Sequence, residues 1–286
     1  MMKISYVELI FSSDKRKTIL VQLREGPKSM EEIVDILNVS STSVYPQIKM
    51  LKEGHLLYRE KRKYKLTLIG EAVVEKMQPF LDALETIEGK YDFWCSHRLD
   101  GIPPHLLKRI GDLNSSVFAK SLNESSMFSP HEEFVENISK SKFVKGISPF
   151  IHPLYPKMFL YLAERNIDVS LVVTGSVFNR LRTEFRSEIE KFLALDNSHL
   201  YIHDKEIFLS CAVTDRFFSF GLFYNNSVYD HVNDIISFDS RALHWGGDLF
   251  TYYEKVSREV RLNEFKEDSI IVLHAVEITA IYLVIT

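Results

Sequence analysis

His203, Asp204 and Lys205 carry the His-x-Lys spacing in which a histidine attacks phosphorus while a lysine holds the phosphate oxygens. That chemistry also asks for an aspartate after four further residues, where Ser210 stands, and for a second copy of the motif, which the chain lacks. His199 and His203 fall on one face of a strand with Tyr201, but no third ligand accompanies them, so a zinc site is not expected. Thr174-Gly175-Ser176 offers one glycine after a strand, and Gly246-Gly247 sits inside a helical pattern; neither cradles a dinucleotide or an adenosyl group. Cys95 and Cys211 stand far apart without CxxC spacing and read as reduced thiols. No catalytic residue, metal or cofactor is expected.

Basic side chains give the clearer signal. The first 78 residues hold 14 Lys and Arg against 10 Asp and Glu, although the whole chain has a net charge of −4, so the remainder is acidic. Local positive charge matters because phosphate contacts supply most of the sequence-independent affinity for nucleic acid.

The elements around these charges follow from caps and periodicity. Ser13 caps a helix that Glu25-Gly26-Pro27 ends. Ser29-Met30-Glu31-Glu32 is a capping box before Ile33, Ile36 and Leu37, a short second helix closed by a turn at 38–41. The next helix carries Val44, Ile48 and Leu51 inward, and Pro46, which lacks an amide, places its first turn there with Thr42 or Ser43 as the cap. Thr42, Ser43, Tyr45, Pro46, Lys49 and Lys52 are then the residues that reach a DNA groove. A two-stranded hairpin follows whose tip, Arg59, Lys61, Arg62 and Lys63, would lie on the phosphate backbone. This order of elements is that of a winged helix-turn-helix over residues 1–66.

From Thr67 a helix over 67–89 places Ile69, Val73, Met77, Phe80, Leu84 and Ile87 at spacings close to a heptad seam, with Pro79 expected to kink it. A homodimer follows as an expectation, its two reading helices about one DNA turn apart. Residues 90–261 change to aromatic, mixed α/β texture. Strands are predicted at 143–150, 167–174, 199–202, 208–213 and 217–223. Helices are predicted at 102–113, 132–139, 156–165, 177–195 and 240–260. Strand and helix alternate, which implies a sheet with covered faces.

Several of these segments, in order, carry a family likeness: Asp92-Phe93-Trp94, Ile102-Pro103, the strand from Lys142 through Gly146 to Ser148, His152-Pro153, Asp168 to Thr174, Val213-Thr214-Asp215, Ser219 to Phe223, Tyr229-Asp230 and Leu243-His244-Trp245-Gly246. With the N-terminal pattern, residues 1–260 resemble the archaeal winged-helix regulators whose second part is the methanogenesis regulatory protein middle domain. The resemblance implies a transcriptional regulator of a methanogenic archaeon, an ArsR-like DNA-binding domain, a sensor domain and no catalytic residues.

In an open α/β sheet ligands sit beyond the carboxyl ends of strands, which points to Ser148, His152, Thr174 and Thr214 as contacts for a small-molecule effector. The apolar tail at 262–286 carries Glu277 and is left without a role; as a membrane span it would cost on the order of 3 kcal/mol for that residue. No early apolar run marks a signal peptide, and the expected compartment is the cytoplasm. The expected function is a dimeric regulator bound to double-stranded DNA. The alternative is an enzyme, a phospholipase-D-like phosphodiesterase or a winged-helix methyltransferase, that uses its N-terminal domain to dimerise.

Overall fold

A computed structural model of the chain describes residues 5–119 and 138–263. It divides into two compact units, Met1–Leu84 and Glu85–Thr286.

Unit 1 begins with α1 (Tyr6–Phe11), which the sequence pattern did not foretell, and α2 (Asp14–Arg24), capped by Ser13 as expected. Then α3 (Met30–Leu37) opens on a complete capping box: the Ser29 amide donates to Glu32 Oε2 at 2.6 Å, and the Glu32 amide to Ser29 Oγ at 3.2 Å. Asn38 closes α3 in the left-handed region, φ 49°, a conformation its short polar side chain tolerates. Next comes α4 (Ser41–Glu53), and its start corrects the predicted cap. Ser40, not Thr42 or Ser43, is the boundary residue, because the Ser43 amide and hydroxyl both turn back to the Ser40 carbonyl at 3.0 and 2.8 Å. Pro46 therefore sits beyond the first turn. Its missing amide is tolerated because Thr42, whose carbonyl would have received it, is exposed to water, as is Pro46 itself.

The hairpin of β2 (Leu57–Glu60) and β3 (Lys63–Leu66) turns through Lys61 at φ 54°. A third strand joins this hairpin. β1 (Lys28–Ser29) pairs antiparallel with β3, so the order is β1-β3-β2. Ile19, Leu20, Ile33, Val44, Ile48, Leu51 and Leu56 are buried together beneath these elements. The α5 helix (Leu68–Gly89) runs through Pro79, and the Thr67 hydroxyl accepts from the Gly70 amide at its start.

In unit 2, α6 (Tyr91–Ser96) and α7 (Pro104–Leu107) precede a 3-10 turn at Ile110–Leu113 and β4 (Val117–Phe118). The helix expected over 102–113 is thus two short pieces. The helix expected at 132–139 lies almost wholly outside the described residues, as does the tail. β5 (Phe143–Ser148), α8 (Tyr155–Glu164), β6 (Asp168–Thr174), α9 (Gly175–Glu184), α10 (Arg186–Leu193) and β7 (Ser198–His203) follow. Phe185 splits the single helix expected at 177–195, and β5, β6 and β7 run parallel, which is why helices make the crossings between them. β8 (Leu209–Thr214), β9 (Phe218–Leu222) and β10 (Ile235–Ser237) continue antiparallel. After α11 (Ser240–Lys255), β11 (Arg258–Glu259) pairs with β7 where helix was expected to continue. Among the described residues the sheet order is β11-β7-β6-β5-β8-β9-β10-β4.

The two faces of that sheet differ in bulk. On one, Phe218 and Phe220 meet Trp245 of α11 edge to face at 5.8 and 5.5 Å, and Trp245 Nε1 donates to the Leu106 carbonyl at 3.0 Å. Gly246 lets the Phe218 ring approach: a Cβ there would lie 2.4 Å from it, whereas one on Gly247 would meet nothing within 4 Å. We therefore expect Gly246→Ala to cost roughly 1–3 kcal/mol by overpacking. Gly247→Ala should instead gain about 0.5–1 kcal/mol by restricting the unfolded chain in a helix interior. Paired thermal melts of the two variants, moving in opposite directions, check this.

Candidate functional site

In unit 1 the inward stripe Val44, Ile48 and Leu51 is at most 2% exposed, and it turns the opposite side of α4 to water. Thr42, Tyr45, Pro46, Lys49 and Lys52 are all exposed, Tyr45 at 64%. Ser43 departs from the group: half-buried, its hydroxyl is spent on the Ser40 carbonyl. Lys49 reaches Glu53 only at 3.9 Å, an exposed pair that costs little to exchange for another anion.

At the hairpin, Lys63 pairs with Glu32 at 3.4 Å and Lys65 with Glu60. The Glu32 carboxyl lies below its usual range, first because it accepts the Ser29 amide and then because Lys63 adds its charge. Arg59 lies over the Tyr64 ring, 5.8 Å from its centre. Lys61 and Arg62 at the tip have no salt bridge among the described residues.

One buried cation, absent from the sequence-based expectations, holds α4 in place. Arg16 on α2 is 6% exposed. Its Nε donates to the Leu9 carbonyl, Nη1 to Gln47 Oε1 of α4 at 2.7 Å, and Nη2 to Ser12 Oγ at 2.7 Å. Ser13 Oγ donates to the same Gln47 oxygen at 3.3 Å. A guanidinium suits this place because its planar fork serves three acceptors at once. In the sequence Arg16 stands in a run of basic residues, Lys15-Arg16-Lys17, and nothing local separates it from its solvated neighbours.

The second site is a cavity of about 630 Å³ in unit 2, within the range of small-molecule pockets, roughly 300–1,000 Å³. Its floor is the small-residue face of the sheet. Register sets Gly146, Ala212 and Ser219 side by side across β5, β8 and β9, with Ser210 opposite Gly221 in the next row. On β6 and β7 the same face carries Leu171, Val173 and Leu200, and helices α8 to α10 supply Phe159, Leu181 and Phe192.

Polar groups gather at the β8–β9 end. Tyr229 Oη donates to Asp234 Oδ1 at 2.8 Å and lies 2.6 Å from Ser210 Oγ. Gly221 makes this cluster possible, since a Cβ there would lie 2.1 Å from Tyr229 Oη and 2.2 Å from Asp234 Oδ1. Burial raises the Tyr229 phenol well above its usual range and pushes Tyr155 of α8 up to about 12, with the Asp234 charge adding in both. The loop bearing Tyr229 and Asp234 is itself anchored. Asp230 accepts from the Val232 and Asn233 amides and meets His97 Nε2 at 3.1 Å, while the His97 ring stacks on Tyr224.

Two of the four expected effector contacts, Ser148 and His152, line this cavity. Thr174 and Thr214 do not. Thr174 Oγ1 caps α9 through the Val177 amide, and Thr214 Oγ1 accepts the Arg216 and Phe217 amides in a turn. The His-x-Lys segment forms no cluster either. His203 meets Ser257 Oγ at 3.3 Å, Lys205 is exposed, and Ser210 belongs to the cavity. His199 pairs with Glu259 at 3.0 Å, and among the described residues no group of three metal-ligating side chains is found.

Arg16→Met should destabilise unit 1 by about 1–3 kcal/mol, because the Leu9 carbonyl and Gln47 lose a charged donor. Arg16→Lys should recover only part of this, one ammonium being unable to span three acceptors. Urea unfolding followed by circular dichroism distinguishes them.

Comparison with known proteins finds likenesses to both parts of the chain. Residues 127–256 match the family model described as methanogenesis regulatory protein FilR1, middle domain, and residues 4–88 match the HVO_A0261 N-terminal domain. A curated relative, methanogenesis regulatory protein FilR1 of Methanothrix harundinacea (strain 6Ac), is 28% identical over 258 residues, 89% of this chain. The chain spans 58% of that relative's length. Among solved structures, TrmBL2, an archaeal chromatin protein, aligns over 88% of this chain and 97% of its own, at 14% identity and a TM-score of 0.40. Nuc from Salmonella typhimurium, a phospholipase D family member, aligns over 51% of this chain and 96% of its own, at 12% identity and a TM-score of 0.34. Neither structural likeness is close enough to bear on function. In sequence, residues 127–256 of this chain are similar to the methanogenesis regulatory protein middle domain.

Proposed function

We propose that this chain is a cytoplasmic DNA-binding transcriptional regulator, in which unit 1 is a winged helix of the ArsR-like kind and unit 2 a sensor for a small molecule. The observation that carries the reading is the outward set Tyr45, Lys49 and Lys52 on α4, in the same unit as the basic hairpin tip Lys61 and Arg62. Side chains at the exposed face of a helix can enter a major groove, and a charged hairpin can lie along the flanking phosphates. The name of the curated relative, a methanogenesis regulatory protein, supports the same reading. Regulation in place of catalysis is further supported by the separation of His203, Lys205 and Ser210 into unrelated contacts.

The reading is tested by fluorescence anisotropy with duplex from the region upstream of the chain's own gene, across a salt series. Affinity should fall steeply with salt. Lys49→Ala and Lys52→Ala should each lower the slope of log affinity against log salt by about one for a phosphate contact. With Lys61→Ala and Arg62→Ala added, specific binding should vanish. Unchanged binding in the quadruple variant would rule out this face.

We propose further that the regulator is a homodimer paired through α5. Ile69 and Phe80 are each 51% exposed and Leu84 and Ile87 each 38%, an apolar row at near-heptad spacing on a single copy. Met77 is buried in the core of unit 1 and Val73 packs against it, so the proposed seam omits both, which the sequence pattern had included. Leu84→Glu with Ile87→Glu should convert a dimer to a monomer in sedimentation velocity. A wild-type chain that sediments as a monomer at tens of micromolar would end this part of the proposal.

A further inference from the structure

We propose that the cavity of unit 2 takes a single-chain aliphatic amphiphile, its tail against β6 and β7 and its polar head at the β8–β9 end. This rests on the reading of unit 2 as a sensor and adds the chemical class of what it senses.

Register draws the axis of the site. Leu200, Leu171, Gly146, Ala212 and Ser219 are successive partners across β7, β6, β5, β8 and β9, and all of them line the cavity. They form one row that crosses four strand spacings, roughly 19 Å. A volume of about 630 Å³ laid along such a row suits a flexible chain better than a compact ring system.

Bulk and exposure both change along that row. Helices α8 to α10 pack over β6 and β7, and there Leu200, Phe192 and Leu181 are only 1%, 2% and 6% exposed. At the other end Ser210, Ala212 and Ser219 are half-buried and His231 is exposed. Two loops line the cavity there: Phe150 of one lies 4.6 Å from the Tyr229 ring and 6.1 Å from the His231 ring of the other. The step between the two halves falls at Gly146. A Cβ in that position would lie 2.9 Å from Leu171 Cδ2, so the leucine side chain occupies the room that a larger residue would take.

This order decides which end of a ligand goes where. Val173, Val177, Leu181, Ile189, Phe192 and Leu200 enclose the far end, and apolar walls favour an apolar occupant over water. A polar group carried there would exchange its hydration for aliphatic and aromatic carbon. At the near end the hydroxyls of Ser210 and Ser219, the His231 imidazole and the Asp234 carboxylate supply donors and acceptors together. Tyr155, close enough to Asp234 to feel its charge, belongs to the same end. The tail, more than the head, therefore carries the selectivity.

The test uses the full chain without DNA, with the uncharged fluorophore N-phenyl-1-naphthylamine as reporter and the alkan-1-ols from octan-1-ol to hexadecan-1-ol as competitors. Displacement should tighten about fourfold for each added methylene up to the length that fills the row, and weaken beyond it. Alkanoates should turn over at the same chain length as the alcohols. Leu200→Phe, which shortens the closed end, should move the turning point to shorter chains; should that variant melt early, Leu181→Phe serves the same purpose from α9. Ser219→Ala at the other end should leave the turning point in place. Dodecane-1,12-diol, which carries a hydroxyl to the apolar end, should bind about tenfold more weakly than dodecan-1-ol. Affinity that climbs through the whole series overturns the proposal, as does a turning point that neither filling variant moves. So does a diol that binds as tightly as the alcohol, or no displacement by any chain. A separate measurement of duplex affinity with and without dodecan-1-ol isolates the sensor reading: binding of the alcohol with no change in duplex affinity defeats that reading and leaves the ligand class intact.

Discussion

Most of what unit 2 can do depends on the unequal filling of the two faces of its sheet. Strand alternation sends successive side chains to opposite sides, and β8 and β9 use it to sort by size. Leu209, Cys211, Val213, Phe218 and Phe220 go to the side buried beneath α11, where Trp245 closes the packing with no exposed surface. Ser210, Ala212, Ser219 and Gly221 go to the other, and there the sheet has volume to spare. A protein interior packed to crystal-like density leaves no such space by accident of one residue. Here a run of small side chains, aligned by register with Gly146, keeps it open. The bulky face carries the stability that lets the small face remain underfilled.

Unit 1 resolves a different tension, between burying α4 and leaving it available. Three aliphatic side chains spaced along α4 hold it to the core, while its lysines and Tyr45 remain in water. Arg16 adds direction to that adhesion. Apolar burial is tolerant of small rotations of a helix, but the hydrogen bond from Arg16 to Gln47 is not, and it pins the second turn of α4 to α1 and α2. Lys49 and Lys63 sit in exposed pairs of small worth, and Lys61 and Arg62 in no salt bridge among the described residues. A basic side chain thus serves as scaffold when buried, and in the proposed reading as a phosphate contact when exposed.

Several elements were legible in the sequence because their causes are local. The capping box at Ser29 and Glu32, the Ser13 cap, the stripe Val44, Ile48 and Leu51, and the central strands all arise from residues within a few positions of one another. Part of what was misjudged depends on partners far away in the chain. The short edge strands β4 and β11 exist only because β10 and β7 offer them hydrogen bonds. The start of α4 moved for a local reason: the Ser43 amide and hydroxyl close its first turn on the Ser40 carbonyl ahead of the proline. The break at Phe185 divides what periodicity read as one helix.

The candidate sites divide in the same way. Thr42, Tyr45, Pro46, Lys49 and Lys52 could be named from one helix's period, since exposure on a helix follows from which residues its neighbours bury. Ser148 and His152 were named from their place at a strand end, a rule that equally nominated Thr174 and Thr214, whose hydroxyls are consumed in capping a helix and closing a turn. The residues that give the cavity its chemistry, Ser210, Gly221, Tyr229 and Asp234, are up to 24 positions apart and of unremarkable type. Sequence alone determined the division of labour between a basic helical end and an acidic α/β remainder, because charge and periodicity are properties of neighbours. Tertiary structure alone decided where that remainder is hollow and which polar atoms face the hollow, because register brings distant residues together across neighbouring strands.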